Sequence, residues 1–189
     1  MYEKAAACWR DLPWRRTADP YAILVSEMML QQTQVARVVP KYEAWMARFP
    51  DAASLAAAAA EDVLALWSGL GYNRRALALH RAAKAIIADF GGVPPRDEAA
   101  LRTLPGVGAY TSRAVLAFAF DIPSPFLETN IRTVFLKHFF PDQEGVPDSA
   151  LEAVAAATLD RASPRRWYTA LMDYGAEIKR VEGNHSVRG

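Results

Sequence analysis

The sequence predicts an all-α fold, and three observations predict it. Apolar residues recur at intervals of three and four through most of the chain. No stretch alternates apolar and polar residues over the roughly four to eight positions of a half-buried strand. Gly and Pro clusters punctuate the periodic segments, and no unit repeats at a fixed period.

Taken in order, Arg10-Asp11-Leu12-Pro13-Trp14-Arg15-Arg16 is a Pro-interrupted, basic and aromatic stretch, and Asp19-Pro20 is a turn before a helix running from Tyr21 to about Thr33. Ile23, Leu24, Met28 and Leu30 make that helix largely internal. A second helix, from Val35 to Phe49, is amphipathic through Val38, Val39, Tyr42, Trp45, Met46 and Phe49 and stops at Pro50. The alanine-rich segment from Ser54 to Trp67 reads as one closely packed helix. Gly69-Leu70-Gly71-Tyr72 breaks the pattern, which resumes from Asn73 to Phe90 and ends at Gly91-Gly92-Val93-Pro94-Pro95. A short helix from Asp97 to Leu104 leads into a glycine turn and a further helix from Ala109 to Phe120. Beyond Pro123 and Pro125, helices are expected from Glu128 to Phe140, Asp148 to Leu159 and Arg165 to Lys179.

A chain of 189 residues, 52% apolar and 23% charged, is long enough for one or two small domains with a real core. No apolar run reaches the ~20 residues that span a bilayer, and Met1-Tyr2-Glu3-Lys4 lacks the pattern of a signal peptide. The expectation is a cytoplasmic protein with no membrane association. The single cysteine, Cys8, excludes an intrachain disulfide and reads as a packing residue. His80, His138 and His185 show no metal-ligand spacing. A net charge of +1 argues for no partner by itself, and the clusters Arg15-Arg16, Arg74-Arg75 with Arg81 and Lys84, and Arg165-Arg166 read as solvated helix faces.

Two places carry chemistry. In Leu104-Pro105-Gly106-Val107-Gly108-Ala109-Tyr110-Thr111-Ser112, two glycines precede a helix whose first N–H groups point back at the turn. That arrangement suits a phosphate, and it equally suits an ordinary corner between two helices. The other place is Glu27, a carboxylate in a strongly apolar helix, which is costly unless it is paired or works at a polar pocket.

Leu12-Pro13-Trp14-Arg15, Ser26-Glu27-Met28-Met29-Leu30-Gln31-Gln32-Thr33-Gln34, Gly69-Leu70-Gly71-Tyr72, Leu104-Pro105-Gly106-Val107-Gly108 and Asn130-Ile131-Arg132 together decide between these readings. They occur in the order and approximate spacing of the helix-hairpin-helix DNA glycosylases. Over residues 10–140 the chain most resembles the adenine DNA glycosylase branch. The resemblance implies a two-lobed all-α fold, with residues 20–131 as the helical domain that holds the hairpin. Residues 1–19 with 132–189 would form a second domain built from both termini.

It also implies a division of labour. Gln32 and Tyr72 would probe the duplex as a base is flipped out. Thr33, Leu70 and Asn130, with Pro105, Gly106, Val107 and Gly108 of the hairpin, would contact DNA. Arg10, Trp14 and Leu30 would line the base pocket. Glu27 would be the general acid that protonates the leaving base, a role for which desolvation of its carboxyl suits it. A second carboxylate would stabilise the oxocarbenium-like sugar. Where the family has aspartate, this sequence has Glu128, whose extra methylene moves the carboxylate by roughly 1.5 Å, and Thr129 replaces the family's usual glycine. The alternative reading of Glu128 is a charge at a helix start, favoured by the dipole. Tyr110 occupies the position at which bifunctional relatives carry an imine-forming lysine, so the chain should be monofunctional.

Most relatives hold a [4Fe–4S] cluster on four C-terminal cysteines, whereas here Lys179 stands about where the first is expected, so no cofactor is predicted. The further domain that senses oxidised guanine has no counterpart before Gly189. The expected substrate is double-stranded DNA with a mismatched or damaged pair, adenine opposite guanine or 8-oxoguanine, bound by a monomer. A thymine or uracil glycosylase for T:G or U:G pairs is one alternative, because relatives with that activity also carry tyrosine at the hairpin. A non-catalytic DNA-binding module is the other.

Overall fold

The computed structural model describes residues 1–183, and among them no strand occurs. In chain order the elements are α1 (Tyr2–Ala6), a 3₁₀ turn (Pro13–Arg15), α2 (Pro20–Leu30), α3 (Val35–Arg48), α4 (Ala52–Ala57), α5 (Ala60–Trp67), α6 (Arg74–Phe90), α7 (Glu98–Thr103), α8 (Ala109–Phe120), α9 (Thr129–Phe139), α10 (Asp148–Thr158) and α11 (Pro164–Glu182). His185 lies outside the described residues. No helix among them is long and apolar enough to cross a membrane.

Side-chain caps set several of the starts. The Asp19 carboxylate accepts from Ala22 N at 3.0 Å, and Pro20 occupies the first helical position of α2. Asp51 accepts from Ser54 N at 2.7 Å, and Asp97 from Ala100 N at 2.8 Å. At its other end α6 closes on Gly91, in the left-handed region at φ 65°, with Gly92 N donating to Ile86 O at 3.0 Å.

One expected helix is two. Residues 54–67 were expected to be continuous, but Ala58 and Ala59 are extended, at ψ 151° and 146°, separating α4 from α5. In an unbroken helix Leu55 and Trp67 would stand about 120° apart around the axis. The break lets Leu55, Val63 and Trp67 all be buried, with α4 and α5 both packed on α6. Packing overrides alanine's helix propensity here because the propensity differences are only tenths of a kcal/mol per residue.

The chain divides into two units, residues 12–120 and residues 1–11 with 121 onward. The expected boundaries, after 19 and after 131, differ for a packing reason. The 3₁₀ turn Pro13–Arg15 packs on α2 and α3, and α9 packs along α11. In the first unit α2 is apolar on every side and buried from Tyr21 to Met29, against α3, α6 and α8. Beside it Trp45 meets Phe49 and Trp67 edge-on, at centroid separations of 5.2 and 5.6 Å. In the second unit Tyr168 stacks on Phe126 at 3.9 Å, donates to Ser124 O and accepts from Phe126 N. There too Arg10 Nε meets Asp173 Oδ1 at 2.6 Å, tying the N-terminal segment to α11.

Candidate active site and nucleic-acid interface

Within residues 12–120, the packing of α2 on α8 brings Glu27 and Tyr110 together. Glu27 is only 5% exposed, and the Tyr110 hydroxyl donates to its Oε2 at 3.0 Å. A second tie, from Gln31 Nε2 to Thr111 Oγ1 at 3.2 Å, joins the end of α2 to the same turn of α8. A buried carboxyl within hydrogen-bond reach of a hydroxyl on the hairpin helix is held in a fixed place, as a group that transfers a proton must be.

The hairpin that presents Tyr110 is built around Gly106. Val107 N donates to Leu104 O at 3.1 Å, closing a turn with Pro105 at its second position and Gly106, at φ 83°, at its third. A Cβ on Gly106 would stand 2.7 Å from Met28 Cε and 2.8 Å from Ala78 Cβ, so glycine is required by the fold itself. The Val107 side chain is buried and anchors the turn, whereas Gly108 is exposed with open space where a Cβ would be. The demand for glycine at 108 therefore does not come from described neighbours, and it fits the approach of another molecule.

Two loops follow the ends of α2 and α5. Gln32 and Tyr72 both have left-handed backbone, at φ 55° and 49°, and both side chains are exposed, Tyr72 to 55%. Leu70 turns into the core, and the Thr33 hydroxyl bonds to the carbonyls of Gln31 and Leu70. Trp67 Nε1 donates to Gly71 O at 3.0 Å, fixing the second loop to α5. Trp14 is buried edge-on to Tyr42 at 5.4 Å, and Leu30 is half-buried at the last turn of α2.

Arg75 corrects the reading of its cluster. Arg74 is exposed as expected, but Arg75 is only 7% exposed and its guanidinium donates to main-chain groups of both loops. The signal was present in the periodicity. Residues 75, 79, 82, 83 and 86 fall on one helical stripe, and all of the others are buried apolar residues.

In the second unit Glu128 is the N-cap of α9. Its Oε1 accepts from Asn130 N at 2.6 Å and Ile131 N at 3.1 Å, while Oε2 accepts from Thr129 Oγ1 and Asn130 Nδ2. The extra methylene is taken up in this curl toward the helix start. Asn130 is half-buried, and its carbonyl lies where Gly175 of α11 leaves room: a Cβ on Gly175 would stand 2.2 Å from Asn130 O. Lys179, one turn farther along α11, is half-buried. Burial holds its ammonium below the ordinary range, while the charge of Glu128 acts in the opposite direction. Arg10 places its guanidinium on Asp173 and on Met172 O at 3.1 Å.

The residues of this chain do not fit a four-thiolate iron–sulfur cluster, since Cys8 is its one cysteine. Among the described residues no group of three or more His, Cys, Asp or Glu could hold a metal ion.

The stretch that holds both the buried Glu27 and the glycine hairpin lies within residues 25–156, which match the HhH-GPD superfamily of base excision DNA repair proteins. The chain belongs to that family. It is 43% identical over 171 residues to the adenine DNA glycosylase of Mycolicibacterium smegmatis, an alignment covering 89% of this chain and 58% of that protein. It is 37% identical over 181 residues to the adenine DNA glycosylase of Homo sapiens, covering 89% of this chain and 33% of that one. The chain thus spans less than three fifths of the length of these curated relatives. Among solved structures, a thermostable thymine-DNA glycosylase superposes with a TM-score of 0.82 at 29% identity, covering 93% of this chain and 84% of that one. Endonuclease III in a non-covalent complex with DNA shares the fold, with a TM-score of 0.66 at 20% identity, covering 86% of this chain and 74% of that one.

Proposed function

We propose that this chain is a monofunctional DNA glycosylase that flips a mismatched adenine out of duplex DNA, opposite guanine or 8-oxoguanine, and hydrolyses its N-glycosidic bond. The observation that carries the proposal is the buried Glu27 carboxyl held by the Tyr110 hydroxyl on the hairpin helix. Glu27 delivers a proton to a ring nitrogen of the base, and the bond between C1′ and the base breaks with its electron pair leaving on the base. Glu128 stabilises the resulting cation. Water adds at C1′ and loses a proton, leaving free base and an abasic site. Tyr110 has no amine with which to form an imine to the sugar, so the strand is not cut. Gly106 to Gly108 and the first N–H groups of α8 receive a backbone phosphate, and such contacts provide affinity independent of sequence.

Identity to adenine DNA glycosylases along 89% of the chain supports adenine. A second reading, removal of thymine or uracil from T:G or U:G pairs, is favoured by the superposition on a thymine-DNA glycosylase over most of both chains. Duplexes containing A:G, A:8-oxoguanine, T:G and U:G pairs separate them. The expected result is strand breakage at the adenine position only after alkali. Breakage at T:G or U:G alone overturns the adenine assignment, and breakage without alkali overturns monofunctionality.

A further inference from the structure

Three parts of residues 12–120 converge on one buried cation. Arg75 Nη1 donates to the carbonyls of Met28 at 2.9 Å, Met29 at 3.1 Å and Gln31. Its Nη2 donates to Thr33 Oγ1 at 3.0 Å and to the carbonyls of Leu70 and Gly71, each at 3.2 Å. Met28 and Met29 lie among the last four residues of α2, whose carbonyls have no acceptor role inside the helix. The guanidinium therefore caps the negative end of the helix that carries Glu27. The same planar cation lies 5.4 Å from the centre of the Trp67 ring and 5.5 Å from that of Tyr72.

The bonded groups flank the two exposed residues with left-handed backbone. Gln31 and Thr33 stand on either side of Gln32, and Leu70 and Gly71 immediately precede Tyr72. A non-glycine residue keeps positive φ only where its surroundings over-determine it. Here one side chain supplies that constraint to both loops. A lysine could not, because its three donors diverge from a single nitrogen whereas the guanidinium presents a flat fork.

We propose that Arg75 is a positioning residue that locks the Gln32 and Tyr72 loops into one rigid probe, so that both side chains enter the duplex together when a base is extruded. The inference rests on the glycosylase reading above, and it goes beyond that reading in assigning the coupling of the two loops to a residue that need not touch DNA.

The test uses Arg75→Lys, Tyr72→Ala and the double variant with duplexes carrying 2-aminopurine beside an A:G pair. The fluorescence of that probe rises when the stack opens. At saturating protein the wild type brightens the probe, and Arg75→Lys loses most of the rise. Excision by Arg75→Lys falls about 10-fold to 100-fold on the paired duplex, a size set by displacement of positioned groups. It falls less than about 3-fold when the adenine lies opposite an abasic gap and is already unstacked. The double variant is no slower than the slower single variant, as for residues acting through one element. Wild-type brightening in Arg75→Lys, equal losses on both substrates, or multiplying losses in the double variant overturns the proposal.

If Arg75→Lys does not fold, Thr33→Val removes one acceptor of the clamp. A smaller loss of the same kind is expected, and no change in brightening or excision overturns the proposal. A wild type that brightens the probe but excises nothing refutes the glycosylase reading and leaves the clamp to be judged by fluorescence. A wild type that does neither overturns both.

Discussion

Glu128 shows how one side chain serves a helix and, as proposed, a reaction. Both of its oxygens are engaged at the start of α9, by two main-chain N–H groups and two side chains. A cap of this kind contributes about 1 kcal/mol. Stabilisation of a developing cation contributes far more to the barrier, and removing one such group costs on the order of 100-fold in rate. The two roles therefore separate by magnitude. Glu128→Gln retains an acceptor for the helix, so thermal stability should change by about 1 kcal/mol or less, while single-turnover excision should fall on the order of 100-fold. Excision at the wild-type rate, with only the melting temperature lowered, would leave Glu128 as a cap alone.

At the scale of elements, two glycines make opposite demands. Gly175 lets α11 lie against the first turn of α9, where any Cβ would overlap Asn130 O. Gly175→Ala should destabilise the protein by about 1–3 kcal/mol, read by denaturant unfolding, because backbone must give way. A Cβ on Gly108 would meet nothing within 4 Å, so Gly108→Ala should leave stability within about 0.5 kcal/mol and instead weaken duplex binding. Equal destabilisation by both substitutions would contradict the assignment of Gly108 to the approach of DNA.

The elements also show where sequence reading reaches and where it stops. Glu27 stood out because a carboxylate amid Leu24, Val25, Met28 and Met29 violates the pattern of its own helix, a local contradiction that any window over α2 exposes. Arg75 sat beside Arg74 and looked like half of a solvated pair. Its acceptors come from the end of α2 and from two loops, four to forty-seven positions away, and only the helical stripe it shares with Leu79, Ala82, Ala83 and Ile86 hinted at burial. The break at Ala58 and Ala59 left no local trace, since every residue near it favours helix and the decision lies with α6.

Over the whole molecule, Glu27 and Glu128 stand in different units, and both fall within residues 25–156, which match the HhH-GPD superfamily. A net charge of +1 provides little general attraction for DNA, so binding as proposed depends on a few placed groups: the hairpin, the two probing loops and the start of α8. The central claim is that Glu27 supplies the proton that releases the base. Glu27→Gln keeps the shape of the side chain and its contact with Tyr110 but removes the acid. The most direct measurement is single-turnover release of adenine from an A:G duplex by Glu27→Gln beside the wild type, with duplex affinity measured on the same samples. Loss of detectable release, with affinity within about 3-fold of wild type, is the predicted result, because binding through phosphates does not use the acid. Release at the wild-type rate would contradict it.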